Sequence, residues 1–209
     1  MSAGFDEEYF RTLYGEVPRQ TRFDRARDDL IVRMVEAHGA REGALLDIGC
    51  GYGYLLARFR RRYELFGIDV SVHAARQAAV RLPGVRVVQA DVQRPLPFRR
   101  RFEVVLAINI VEHLPDPAAG ARTIRDALGP GGLCVVHLPT INNAVSRAIY
   151  RLAYAADPTH IYRPSGEEVR ALFEDAGFEV VGESYAPHTP WLLPGLRWHP
   201  AYLAAFRTA

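Results

Sequence analysis

The residues of this chain best suited to chemistry are a run of glycines, three aspartates and two histidines. Gly49-Cys50-Gly51-Tyr52-Gly53 follows the apolar stretch Ala44 to Ile48 and precedes a helical pattern. Glycines there let the backbone turn tightly and let a ligand approach it closely. Asp47 stands just before that loop. Asp69 ends the next apolar stretch, 20 residues after Gly49, where an acid can bind both hydroxyls of a ribose. Asp91 ends the third such stretch, where an acid or its neighbouring backbone can read an adenine edge. His113 and His160 can each take a proton near neutral pH.

Together these features suggest an adenosine ligand. A dinucleotide would bring a pyrophosphate to the loop, and Asp47, two residues before the first glycine, would repel it by several kcal/mol at low effective dielectric. The spacing also departs from G-x-G-x-x-G, because Tyr54 holds the third glycine's position. S-adenosyl-L-methionine, with a sulfonium, an ammonium and no phosphate, suits the site better.

Elements that could hold these residues alternate along the chain. Strand patterns cover Ala44 to Ile48, Leu65 to Ile68, Val85 to Ala90, Phe102 to Ile108, Leu133 to Leu138, Phe178 to Glu183 and Tyr202 to Arg207. The near-continuous apolar run of the fourth suits a strand buried on both faces. Helices are expected over Asp6 to Tyr14, Arg22 to His38, Tyr54 to Arg62 and Pro117 to Leu128. Another begins after an N-cap at Ser71 and runs through Arg81. Asn142 to Ala156 carries Val145, Ile149 and Leu152 on one side, and Ser165 with Glu168 forms a capping box that opens a helix ending at Gly177. Alternation of this kind predicts an α/β fold: a doubly wound, mostly parallel seven-stranded sheet, Rossmann-like, with N-terminal helices and a small lid. The chain reads as one domain over 1–209, with a helical cap at 1–39, a cofactor-binding half at 40–139 and a substrate-lid and C-terminal half at 140–209.

The sequence resembles the class I S-adenosylmethionine-dependent methyltransferases, in particular small bacterial members that act on small molecules. The likeness spans residues 40–185. It rests on Leu46-Asp47-Ile48-Gly49-Cys50-Gly51-Tyr52-Gly53, on Gly67-Ile68-Asp69-Val70-Ser71 and on Gln89-Ala90-Asp91-Val92. It continues through Ala107-Ile108-Asn109-Ile110-Val111-Glu112-His113-Leu114-Pro115-Asp116-Pro117 and Leu128-Gly129-Pro130-Gly131-Gly132-Leu133. The resemblance implies that Asp47, Gly49, Cys50, Gly51 and Gly53 face the methionine part. Asp69 and Val70 would hold the ribose, Asp91 and Val92 would flank the adenine, and Asn109 would sit between cofactor and substrate. Where the family has an acidic turn and Phe-Asp, this chain has Arg99-Arg100-Arg101-Phe102-Glu103.

Methyl transfer is an in-line displacement at carbon, so positioning and exclusion of water are the main tasks. An oxygen or nitrogen nucleophile can also need a base, and His113 and His160 are the candidates, each weighed against a structural role. His160 doubles as a substrate-site residue. Tyr9, Tyr14 and Tyr162 belong, with Tyr150 and Tyr154, to an aromatic lid drawn from Phe5 to Tyr14, Thr140 to Arg163 and Pro187 to Trp198 that suits a flat or lipophilic acceptor. No metal ligand set is assigned.

Composition narrows the alternatives. All 26 basic residues are arginine, which excludes Schiff-base lysines, P-loops and the kinase lysine. It also excludes short-chain dehydrogenases with a Tyr-x-x-x-Lys pair and methyltransferases built on a Lys-Asp-Lys-Glu tetrad. A formal charge of +2 does not call for nucleic acid, and Asn109-Ile110-Val111-Glu112 is not the Asn/Asp-Pro-Pro-Tyr/Phe of amino-directed nucleic-acid enzymes. Cys50 and Cys134 form no disulfide framework, the first ten residues lack a signal-peptide core, and no apolar run has membrane-spanning length, so the expectation is cytoplasmic without stable membrane insertion. The chain is expected as a monomer or homodimer acting on a small-molecule acceptor. An NAD(P)-dependent oxidoreductase and a non-catalytic cofactor binder remain the competing readings.

Overall fold

The computed structural model describes residues 8, 20–154, 157–185 and 200–208. Apart from Glu8, the expected helix over Asp6 to Tyr14 lies outside them, as does the segment from Pro187 to Trp198. Helix α1 (Arg22–His38) opens on a capping box at Thr21, and it is followed by β1 (Gly43–Ile48), a short α2 (Tyr54–Ala57) and β2 (Tyr63–Asp69). Next come α3 (Val72–Arg81), β3 (Arg86–Gln89) and β4 (Phe102–Ile108), then a 3-10 turn (Val111–His113). The rest of the described chain forms α4 (Pro117–Ala127), β5 (Leu128–Pro139), α5 (Ala144–Ala153), α6 (Gly166–Asp175), β6 (Phe178–Ser184) and β7 (Ala201–Thr208).

The strands form a seven-stranded sheet in the order β3-β2-β1-β4-β5-β7-β6, with β7 antiparallel to both of its neighbours. Side chains alternate across a strand, so each buried strand feeds two cores. Ala44, Leu46 and Ile48 of β1 join a core with Ala121 and Ile124 of α4 and Phe173 of α6. Leu45 points the other way, into a core with Ile31 and Val35 of α1 and Leu55 and Leu56 of α2. The same alternation directs Asp47 toward the α1 face.

Three local expectations are corrected. The helix expected over Tyr54 to Arg62 stops at Ala57 and continues as tight turns. With Arg60, Arg61 and Arg62 directed outward, no apolar periodicity remains there to hold a helix. Strand β5 starts at Leu128 rather than Leu133, because Thr208 Oγ1 accepts from Gly132 N at 3.0 Å and donates to Gly129 O at 2.9 Å, drawing the glycine run into the sheet. Helix α5 is shorter than expected and is rotated: Ser146 and Tyr150 are buried while Val145, Ile149 and Leu152 are exposed. Polar anchors set that rotation. Ser146 Oγ accepts from the amides of Asn142 and Asn143, and Tyr150 reaches His160.

Candidate active site

The strand order reverses between β1 and β4, so the chain leaves their C-terminal ends in opposite directions and opens a crevice there. Ligands of open α/β sheets bind at such a point. The glycine loop, Asp69 and Asn109 all lie at this edge.

Asp69 is held by the loop it serves. Its Oδ2 accepts from Gly51 N at 2.9 Å and its Oδ1 from Ser71 N at 2.8 Å. Each carboxylate oxygen keeps a second lone pair, enough to accept from two vicinal hydroxyls. Burial raises its pKa, and these two amide bonds oppose the shift. Gly49 has φ +69°, and a Cβ there would lie 1.9 Å from Ile110 Cδ1, so the loop packs directly on the turn after β4. Gly51, at φ +52°, has none of the described residues within 4 Å of an added Cβ. The loop is therefore packed at Gly49 and open at Gly51, the cradle a ligand's methionine end would fill. Cys50 is buried and its thiol pushed well up by burial, so it is no thiolate nucleophile.

Asp47 is 3% exposed, and its pKa is pushed up to about 8, first by burial and then by the nearby Asp28 and Asp69. Asp28 comes from α1, fully buried, accepting from Gln20 Nε2 at 2.6 Å and pairing with Arg27 at 2.9 Å. Three acids against one arginine set a potential there that favours a cation over a phosphate. Beyond the end of β3, Asp91 Oδ1 accepts from Gln93 N at 2.9 Å and Val92 is buried beside it, while Val70 is half-buried after Asp69.

Asn109 adopts φ +55°, a left-handed conformation rare outside glycine. Its amide donates to His137 O and its Oδ1 accepts from His137 Nδ1, both at 2.7 Å. Beyond it the 3-10 turn presents Glu112 and His113. The two predicted histidines meet there: their rings lie 4.8 Å apart, edge to face. His113 Nδ1 is 3.1 Å from Thr159 O and 3.0 Å from Thr159 Oγ1. His160 Nδ1 is 3.1 Å from the Tyr150 hydroxyl, and its Nε2 is 3.6 Å from Asp157 Oδ2. Burial lowers the pKa of both rings, so both are neutral at pH 7. Tyr154 stacks on His160, and Tyr162 donates its amide to Glu112 O while packing partly on the core.

Residues without a role in the sequence reading also enter the site. Asp28 falls on the buried stripe of α1 with Ile31 and Val35, a periodic position where an acid is itself a signal. Glu112 is fully buried, its carboxylate oxygens have no hydrogen-bond partner among the described residues, and burial pushes its pKa up to about 8. Asp157 and Thr159 carried no such signal, since only the tertiary fold brings them to His113, and Tyr150, expected as a lid aromatic, reaches His160. Among the described residues, Glu112, His113 and His160 are the one grouping of histidine, cysteine and acid close enough to share a cation, with ligand atoms within 4.8 Å. The expected lid residues Tyr9 and Tyr14 lie outside the described residues.

A doubly wound sheet with a glycine loop at its switch point and an acid ending β2 has Rossmann-like methyltransferase architecture. The chain belongs to the methyltransferase-domain family, whose model matches residues 19–183. A ubiquinone biosynthesis O-methyltransferase of Psychrobacter arcticus is 31% identical over 175 residues, covering 71% of this chain and 65% of that relative, just under two thirds of its length. The protein of that name from Pseudomonas paraeruginosa is 35% identical over 176 residues, covering 74% of this chain and 73% of the relative. The fold matches an S-adenosylmethionine-dependent methyltransferase from Clostridium acetobutylicum with a TM-score of 0.71 at 11% identity, over 97% of this chain and 96% of that one. No helix among the described residues is long and apolar enough to cross a membrane.

Proposed function

We propose that this chain transfers the methyl group of S-adenosyl-L-methionine to a hydroxyl of a small-molecule acceptor. The observation that carries the reading is the cluster of buried acids Asp47, Asp28 and Asp69 at the end of β1, beside a loop where an added Cβ at Gly51 meets none of the described residues within 4 Å. The negative potential that Asp28 and Asp69 set there opposes a pyrophosphate, which disfavours the oxidoreductase alternative. The names of the relatives support oxygen as the acceptor atom.

When bound, the cofactor supplies an activated methyl group and a neutral thioether leaving group. The chain's own residues do the rest. Asp47 and the loop Gly49, Cys50, Gly51 and Gly53 hold the methionine part, Asp69 and Val70 the ribose, and Asp91 and Val92 the adenine. Asn109 fixes the rim between the two ligands. His113 takes the acceptor's hydroxyl proton as the oxygen–methyl bond forms, and His160, Tyr154 and Tyr162 wall the acceptor side. Proximity contributes most of the acceleration and the base about 10²–10⁴-fold of it.

Calorimetry with S-adenosylhomocysteine and with NAD⁺ tests the cofactor, and mass spectrometry of a phenol and catechol panel tests the reaction. The reading expects binding of the first ligand and methylated phenols. Binding of NAD⁺ alone overturns it, and cofactor binding with no methylated product across the panel favours a non-catalytic binder.

A further inference from the structure

The end of the sheet opposite the crevice collects positive charge around a second cleft. Strand β2 reaches the crevice at Asp69 and begins at Tyr63, six steps of roughly 3.3 Å back, so its two ends lie about 20 Å apart. At the Tyr63 end a cleft of about 280 Å³ opens, and Arg60, Glu64, Phe66, Pro83 and Arg86 are among the residues that line it. Its charges do not cancel. Glu64 is the one acid in the lining, and Arg100, from the arginine run before β4, pairs with it at 2.5 Å. Arg60 and Arg86 have no ion-pair partner among the described residues, so the cleft keeps two positive charges.

Both of those arginines are held in place. Arg60 Nη2 donates to Pro83 O at 2.9 Å, which pins one nitrogen and leaves the rest of the fork. The Arg86 guanidinium lies 5.4 Å from the centre of the Phe66 ring, and Arg100 lies 4.9 Å from the same centre. Phe66 is buried and packs edge to face on Phe98 and Phe102, so its ring is a fixed platform. Stacking engages the face of a guanidinium and leaves its N–H edge for bidentate bonds to phosphate oxygens. No hydrogen bond from the Arg86 side chain to a described residue uses that edge.

We propose that this cleft is a second binding site, for a compact ligand that carries a diphosphate group. Two fixed guanidiniums match a group with two or more negative charges, and a single carboxylate would leave one of them unanswered. The volume falls just below the about 300–1,000 Å³ of pockets that take drug-sized ligands, so the ligand is small. Free diphosphate and the diphosphate end of an organic molecule share this chemistry. The same group is disfavoured at the crevice, where Asp28, Asp47 and Asp69 set the opposite potential. The two ends of β2 therefore sort their ligands by charge.

Calorimetry of the full chain at low salt tests the site, with sodium diphosphate and adenosine diphosphate as probes. The expected dissociation constant is about 1 mM or tighter, weakening as salt is raised. Arg60→Gln and Arg86→Gln are each expected to weaken binding about tenfold. Arg122→Gln, on the exposed side of α4, removes the same charge and should change it by less than about twofold. Saturating S-adenosylhomocysteine should leave the diphosphate affinity unchanged. The Arg86 Nε proton–nitrogen resonance should shift as diphosphate is added, and melting temperatures certify that the variants fold. Arg86 has no hydrogen bond to a described residue to lose, so Arg86→Gln carries the test even where Arg60→Gln, deprived of its Pro83 contact, fails to fold. Tighter binding of adenosine diphosphate assigns the site to an organic diphosphate and equal binding to the free anion, and both support the proposal. Absence of saturable binding, equal weakening in Arg122→Gln, or displacement of diphosphate by S-adenosylhomocysteine overturns it.

Discussion

Two buried acids set the pH behaviour of this protein. Asp47 rises from 3.8 and Glu112 from 4.5, each to about 8, chiefly because burial disfavours the carboxylate. An acid whose folded pKa is raised supports folding while protonated and ceases to do so as pH climbs from its unfolded to its folded value. The unliganded chain is therefore expected to melt at lower temperature at pH 8.5 than at pH 6, and Asp47→Asn and Glu112→Gln should each flatten that slope in scanning calorimetry. Ligand binding has the complementary sign. A methionine ammonium beside Asp47 favours its charged form, so binding releases a proton and affinity rises with pH up to about 8. Titrations in buffers of different ionisation enthalpy should count up to one proton released, and none in Asp47→Asn. Asp28→Asn removes one of the charges that raise Asp47 and should move the affinity curve to lower pH.

At the scale of elements, the glycine loop separates packing from ligand approach. Gly49→Ala places a methyl group 1.9 Å from Ile110 Cδ1 at positive φ, so both the melting temperature and cofactor affinity should fall. Gly51→Ala adds the left-handed strain, about 1 kcal/mol, and among the described residues nothing lies within 4 Å of the new methyl group. Its melting temperature should move by only a few degrees while cofactor affinity drops tenfold or more. Ser165, whose Oγ accepts from Glu168 N at 3.2 Å, caps α6 as its sequence indicated, and Ser165→Ala should cost about 1 kcal/mol in denaturant unfolding. The Asn142 to Ala156 pattern illustrates where element reading stops. A helix is present, yet its apolar stripe is not the face it buries, because Ser146 and Tyr150 find polar partners inside and Val145, Ile149 and Leu152 do not pack.

At the scale of the molecule, β7 ties the C-terminal strands to the rest. It lies between β5 and β6, and Ala201 through Phe206 are buried. Deleting residues 200–208 would expose both neighbours along their length, and loss of cooperative unfolding is the expected result, read by circular dichroism. Helix α1 carries the other long-range dependency, since it brings Arg27 and Asp28 to an aspartate on β1.

By itself the sequence determined the alternation of strands and helices, the caps at Ser71 and Ser165 and the acids that end successive strands, because each depends on neighbours within a few residues. Asp47, Asp69 and the loop glycines were legible for that reason. The absence of lysine was equally plain, and it limits any base here to histidine, a carboxylate, tyrosine or water. Tertiary structure alone decided that Asp28 shares a pocket with Asp47 and that β5 begins at its glycines. It also decided that Thr159 and Asp157 meet His113 across 46 residues in the Thr159 contact. Hydrogen bonds and charge interactions of that kind depend on distance in space, and the packing of the two cores against the sheet sets those distances.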